Sequence, residues 1–140
     1  ITKINGDVVQ RMLTSDIIPV ISPIGIGKDS FTYNVNADQA AAEIARSLRA
    51  QKLVLLTNVR GILTDEANPE SLLSHVTEAE IETMTKSKVI NGGMIPKVRA
   101  CLRALDRGVK KTHIIDGKIP HGILLEIFTD KGIGTEIVKR

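Results

Sequence analysis

The sequence predicts an α/β protein whose mostly parallel sheet is flanked by helices. Apolar runs of strand length alternate with stretches in which apolar residues recur at three- and four-residue spacing. The run Lys52 to Thr57 is almost wholly apolar and bounded by turn residues, as expected of a strand covered on both faces. Helix-start residues follow several of the apolar runs, the pattern of a sheet built from strand–helix units.

Taken in order, Val8, Val9, Met12 and Leu13 mark a helix, Ile17 to Ile21 a strand, and Gly25 and Gly27 a loop. Ser30-Phe31-Thr32-Tyr33 is rich in β-formers. A helix follows on Ala40, Ala41, Ile44, Ala45 and Leu48, with Asn36 as its cap and Gln39 where a capping box places its partner. After the strand Lys52 to Thr57, Asn58-Val59-Arg60-Gly61 turns into Ile62 and Leu63, and a polar loop carries Asn68-Pro69. Thr77 to Met84 is a short amphipathic helix capped by Thr77, with Glu80 at the capping-box position. A further helix uses Val98, Cys101, Leu102 and Leu105; Pro96 suits its first position and Gly108 its C-terminal cap. Lys111 to Ile115 is a strand, Asp116-Gly117 a turn, His121 to Phe128 a helix and Thr135 to Val138 a last strand.

Composition narrows the function. A chain of 140 residues with 42% hydrophobic and 25% charged residues fits one globular domain, and no run reaches the ~18 apolar residues of a membrane span. No membrane role is expected. One Tyr, two Phe and no Trp leave little for base stacking, and a net charge of +3 suits small anions, so no nucleic-acid partner is expected. The single cysteine, Cys101, lies on an apolar helical face and reads as a core residue in a reducing compartment. His75, His113 and His121 lack metal-ligand spacing, so no protein-held metal is expected. Ser22 to Asp29 shares only Gly27-Lys28 with a Walker A loop, and Gly25-Ile26-Gly27 and Gly132-Ile133-Gly134 lack the third glycine of a dinucleotide fingerprint. The chain opens on Ile1, which reads as the start of a fragment or an excised domain.

Two segments carry candidate chemistry. Asn34-Val35-Asn36-Ala37-Asp38 puts two amides and a carboxylate at a strand-to-helix junction, where α/β proteins hold ligands. Helix capping alone also accounts for Asn36 and Asp38, but not for Asn34. Asn91-Gly92-Gly93-Met94-Ile95-Pro96-Lys97 puts a lysine in a first helical turn, where the helix dipole disfavours a cation. An anion in front of the helix makes sense of that lysine; the alternative is a solvated surface lysine.

Together Asn34 to Ala41, Leu55 to Leu63 and Gly92 to Val98 resemble the amino acid kinase family, in the branch whose acceptor is N-acetyl-L-glutamate. The resemblance extends through His113 to Gly117 and Leu124 to Thr135. It implies a three-layer sandwich of which residues 1–140 form the C-terminal, ATP-binding domain, the N-terminal acceptor-binding part lying outside the chain. It also implies ATP-dependent phosphorylation of the γ-carboxylate of N-acetyl-L-glutamate, in cytoplasmic arginine biosynthesis, with ATP and Mg2+ as cofactors. An isolated fragment is expected to be inactive, and the intact protein to be a homo-oligomer, with a PII-type signalling protein as a candidate partner.

Residue by residue, Asn34, with Asn36 beside it, resembles the acetylglutamate-contacting position, and Asp38 the carboxylate that orients active-site lysines. Lys97 resembles the lysine that neutralises the transferring phosphoryl group. Thr57, Asn58, Val59, Gly61, Ile62 and Leu63, with Val89, Ile90 and Asn91, resemble the nucleotide-binding segments. Asn58 departs from the family, which usually has Asp there, so a charge near the nucleotide is missing. His113, Glu126 and Gly132 resemble the positions at which arginine-inhibited members hold L-arginine as feedback inhibitor. The sequence places Glu126 on the polar side of the last helix, opposite Ile123, Leu124, Ile127 and Phe128. Two other readings stay open: a nucleotide-binding or arginine-sensing module without catalysis, and an amino acid kinase with another acceptor.

Overall fold

A computed structural model describes residues 1–139. In chain order they form α1 (Gly6–Thr14), β1 (Ile24–Ile26), β2 (Thr32–Asn34), α2 (Ala37–Ser47) and β3 (Lys52–Thr57). A 3-10 turn (Pro69–Ser71), β4 (His75–Thr77), α3 (Glu78–Lys86), α4 (Met94–Asp106), β5 (Lys111–Asp116), α5 (Gly122–Phe128) and β6 (Thr135–Val138) follow.

The sheet runs β3-β5-β6-β4. β3 pairs with β5 and β4 with β6 in parallel, and only β5 and β6 are antiparallel, so the mostly parallel sheet holds. Side chains alternate across a strand. On β5, Thr112 and Ile114 meet α4 through its buried face of Val98, Cys101, Ala104 and Leu105, while His113 and Ile115 point to the α5 side. α2 packs on α4 and β3, and α3 joins α4. Helices therefore cover both faces, with the main core between the sheet and α4.

Cys101 is fully buried, and burial pushes its thiol up to about 12 despite the neighbouring Thr112 hydroxyl. A thiol so hard to ionise is a core group, as its place on the apolar helical face suggested.

Four expectations need correction. Ile17 to Ile21 form no strand; Pro19 removes a donor, no neighbouring strand pairs with the segment, and Ile18 and Val20 are 88% and 97% exposed. The first strand is β1 instead, which includes Gly25 and pairs with β2 as an antiparallel hairpin outside the main sheet. β3 is covered on one face only. Leu53 and Leu55 are buried, but β3 is a sheet edge beyond the reach of the seven-residue α5, and Leu56 is 55% exposed. β4 went unread because its three residues also supply the Thr77 cap of α3.

The Thr77 and Asn36 caps form as the sequence indicates, but on α2 only the cap half of the expected box is present, with no return bond from the Gln39 side chain. Thr77 and Glu80 form a complete capping box on α3, and Asn36 Oδ1 accepts the Gln39 N–H at 3.0 Å.

Candidate functional site

Two helices bring the first charged pair together. Asp38 sits in the first turn of α2 and Lys97 early in α4, and because the helices pack side by side, Lys97 Nζ donates to Asp38 Oδ2 at 3.1 Å. Both side chains keep a fifth to a quarter of their surface exposed (20% and 24%), so the pair lies at an opening of the structure. The carboxylate offsets the dipole cost of a cation at that helix start.

The start of α4 differs from its sequence reading. Pro96 is the third helical residue, because the helix begins at Met94. The Met94 and Ile95 N–H groups turn back onto the carbonyls of Asn91 and Gly92, and Pro96 has no N–H. The first turn thus presents fewer free donors than a typical anion-binding terminus, and more of the positive potential rests on Lys97. The space in front is open: a Cβ added at Gly92 or Gly93 meets nothing within 4 Å.

The opposite wall is the turn after β3. The Thr57 hydroxyl accepts the Val59 N–H at 3.0 Å and donates to the Val59 carbonyl at 2.8 Å, clamping the turn on itself. Gly61 passes so close to β6 that an added Cβ would lie 2.5 Å from Thr135 Oγ1. Ile62 then donates its N–H to that hydroxyl at 2.8 Å, and the hydroxyl donates to the Leu73 carbonyl at 2.7 Å. Thr135 is fully buried and fixes this wall from a residue 73 positions away. Sequence reasoning missed it, since a threonine opening a strand is unremarkable in one dimension.

Between the walls lies a cavity of about 390 Å3, within the usual range of ligand pockets. Asn58, Val59, Gly61, Ile62 and Leu63 line one side; Val89, Ile90, Asn91, Gly93, Met94 and Lys97 line the other. The nucleotide-binding residues suggested by the sequence therefore converge, apart from Thr57, which acts through the backbone of Val59. Asn34 and Asn36 do not line this cavity; Asn34 ends β2, and Asn36 is engaged as the α2 cap. Glu66 does line it, and its Oε1 accepts from Asn91 Nδ2 at 3.2 Å. It too escaped the sequence reading, inside a loop taken only as polar.

A second cluster is buried on the α5 side of the sheet. His113 Nδ1 and Glu126 Oε1 are 2.7 Å apart, and Glu126 Oε2 accepts the N–H groups of Ile133 and Gly134 at 2.7 and 3.0 Å. Gly132 has φ +63, and a Cβ there would stand 2.7 Å from Glu126 Oε2. His113, Glu126 and Gly132 thus do meet, but the outward, polar placement of Glu126 was wrong. The residue is 7% exposed because the 129–134 loop folds over the short helix and uses the carboxylate as its anchor. Beyond His113, Glu136 Oε1 lies 4.0 Å from Nε2 and is held by Lys111 at 2.8 Å, while Glu136 Oε2 meets His75 Nδ1 at 3.0 Å.

Among the described residues no three His, Cys, Asp or Glu side chains gather as a metal site, and no helix is long and apolar enough to cross a membrane.

Comparison with known proteins agrees with this architecture. The amino acid kinase family model matches residues 1–116. The acetylglutamate kinase of Moorella thermoacetica is 51% identical over 138 residues, covering 99% of this chain and 47% of the relative. That of Prochlorococcus marinus is 46% identical over 140 residues, covering 100% of this chain and 46% of the relative. The chain spans about half the length of the curated relatives it matches. Among solved structures, N-acetylglutamate synthase from Neisseria gonorrhoeae complexed with coenzyme A and L-arginine superposes with a TM-score of 0.88 at 29% identity, over 99% of this chain and 31% of that one. Carbamate kinase from Giardia lamblia bound to AMP-PNP shares the fold, with a TM-score of 0.75 at 20% identity over 98% of this chain and 45% of that one. With the family model matching most of its length, the chain belongs to the amino acid kinase family.

Proposed function

We propose that this chain is the nucleotide-binding part of an ATP-dependent kinase that phosphorylates the γ-carboxylate of N-acetyl-L-glutamate, a step of arginine biosynthesis. The observation that carries the reading is the Asp38–Lys97 contact at a cavity whose opposite wall is apolar turn backbone. Phosphoryl transfer needs positioning and neutralisation of the charge on the transferring group. Val59, Leu63 and Met94 offer apolar surface to a base, backed by the buried Ile62 and Ile90, and Lys97 offers its ammonium to phosphate oxygens. Asp38 holds that ammonium in place before the substrates arrive, which lowers the reorganisation needed in the transition state.

ATP fits the chemistry of this lining: an apolar slot at one wall and a cation facing open space at the other. Mg2+ keeps several waters and binds largely through substrate phosphates, which suits a lining with a single carboxylate among the described residues. Bound Mg2+ would spread the negative charge of the phosphates. Asn34 is assigned to the acceptor through its resemblance to the acetylglutamate-contacting amide.

The chain's relatives named acetylglutamate kinase support the choice of acceptor. The arginine-bound synthase supports arginine as an effector; His113, Glu126 and Gly132 are assigned to it through their resemblance to the arginine-holding positions. In that role the Glu126 carboxylate has one of its roughly four acceptor positions to spare, three being used already.

The test is a coupled assay of ADP release in the full-length protein. Release that depends on N-acetyl-L-glutamate is expected, whereas the 140-residue chain should bind ATP or ADP without consuming it. A full-length protein that binds ATP but phosphorylates no carboxylate acceptor would leave the non-catalytic module as the better account.

A further inference from the structure

Glu66 is a carboxylate in a cavity otherwise suited to an anion, and neither the capping nor the packing of its loop requires it there. Its loop is organised by other groups: Asp65 accepts the Ala67 N–H, Asn68 accepts the Glu70 N–H, and the Ser71 hydroxyl bridges the Asp65 and Asn68 carbonyls. Glu66 has no cation within 4.0 Å among the described residues; its single contact is the Asn91 amide. That contact engages Oε1 and leaves Oε2 without a hydrogen-bond partner among the described residues, on a side chain that lines the cavity.

We infer that Glu66 accepts hydrogen bonds from the ribose hydroxyls of the bound nucleotide and so selects ribonucleotides over deoxyribonucleotides. This deepens the nucleotide reading of the cavity and rests on it. The argument is one of order and charge. Asn91 immediately precedes Gly92 and Gly93, the open end toward Lys97, whereas Ile62, Leu63 and Ile90 form the apolar wall. Glu66 is tethered to Asn91, the lining residue that links Ile90 to the glycines, and in a nucleotide the sugar joins base to phosphate. An ionised carboxylate accepts hydrogen bonds and cannot donate them, so it repels phosphate oxygens but suits a neutral pair of hydroxyl donors. Carboxylates take ribose hydroxyls in dinucleotide folds for the same reason. Asn58 is a neutral amide, so Glu66 is the one negative charge on this lining among the described residues.

The test is calorimetric titration of the full-length protein and its Glu66→Ala variant with ATP and 2′,3′-dideoxy-ATP. ADP and 2′,3′-dideoxy-ADP are then titrated in EDTA. Wild type should prefer the ribonucleotide by about tenfold or more, as for hydrogen bonds to a charged acceptor. Glu66→Ala should bring the ratio within about twofold by weakening the ribonucleotide alone, and the wild-type preference should persist in EDTA. Equal wild-type affinities for ATP and its dideoxy analogue would overturn the ribose role while leaving the nucleotide site standing. An equal loss for both nucleotides, seen only with Mg2+, would make Glu66 a metal ligand and overturn it too. Failure of wild type to bind any of the four would remove the nucleotide reading itself, and the ribose role with it.

Discussion

Asp38 Oδ2 and Lys97 Nζ, 59 residues apart in the chain, meet at 3.1 Å because both occupy helix starts on a pair of packed helices. The carboxylate lies where the α2 dipole favours an anion, and it compensates the ammonium lying where the α4 dipole disfavours a cation.

Replacing Lys97 with Ala in the full-length protein should lower kcat by on the order of 10² to 10³, the usual loss for one preorganised group at a developing charge. ATP affinity, read by calorimetry, should change less. A kcat within about threefold of wild type, worth under ~1 kcal/mol, would exclude a role in phosphoryl transfer.

Asp38→Asn separates orientation from helix stability. Asn36, not Asp38, supplies the cap, so the variant should melt within a few degrees of wild type by circular dichroism. Activity should nevertheless fall by about tenfold or more, because a neutral amide no longer holds the ammonium. An active, equally stable variant would reduce Asp38 to a dipole-complementing residue.

Thr135→Val removes the hydroxyl that joins Ile62 N–H to the Leu73 carbonyl while keeping the side-chain shape. Two backbone groups lose their partner at a fully buried position, and the expected cost is about 2–4 kcal/mol in urea unfolding. Nucleotide affinity should weaken alongside, since the Gly61–Leu63 wall loses its anchor. Unchanged stability would mean that water or a shifted loop replaces the hydroxyl.

Glu126→Ala breaks a buried contact with His113 and frees two loop N–H groups, so it should cost about 3–5 kcal/mol of stability. Arginine titrations of the full-length protein then ask a separate question. Weaker inhibition of the folded variant would join Glu126 to the effector site, whereas superimposable curves would leave it as the structural anchor of the 129–134 loop.

Acid should loosen β6. Burial alone would raise the Glu136 carboxyl, but hydrogen bonds from Lys111 and His75 and the charges of Lys111 and His113 outweigh it and hold it below its ordinary 4.5. Glu80 is likewise lowered, by the Thr77 N–H and hydroxyl at the capping box. A carboxyl depressed on folding stabilises above its unfolded pKa, and that contribution disappears as pH falls through the folded value. Stability should therefore drop on acidification below about pH 4.5, and Glu136→Gln should flatten part of the drop in pH-dependent urea titrations.

Much of this protein is legible in one dimension because its elements announce themselves locally. The Thr77–Glu80 capping box, the Asn36 cap and the apolar stripe of α4 are contacts within four residues or periodicities within one helix, so the sequence alone fixes them. The converging segments Asn58 to Leu63 and Val89 to Asn91 were readable for another reason: they carry an ordered set of residues resembling a known family.

What only the tertiary structure decided depends on neighbours distant in sequence. Ile17 to Ile21 had the composition of a strand and no partner to pair with, and β3 had the composition of a central strand at a sheet edge. Glu126 was polar on its own seven-residue helix, yet it is buried because a loop beyond that helix closes on its carboxylate. Thr135 and Glu66 are joined to their walls through Ile62 and Asn91, 73 and 25 residues away. Local propensity and periodicity report a residue's own segment, whereas burial and hydrogen bonding are settled by whichever distant segment the packed core brings alongside.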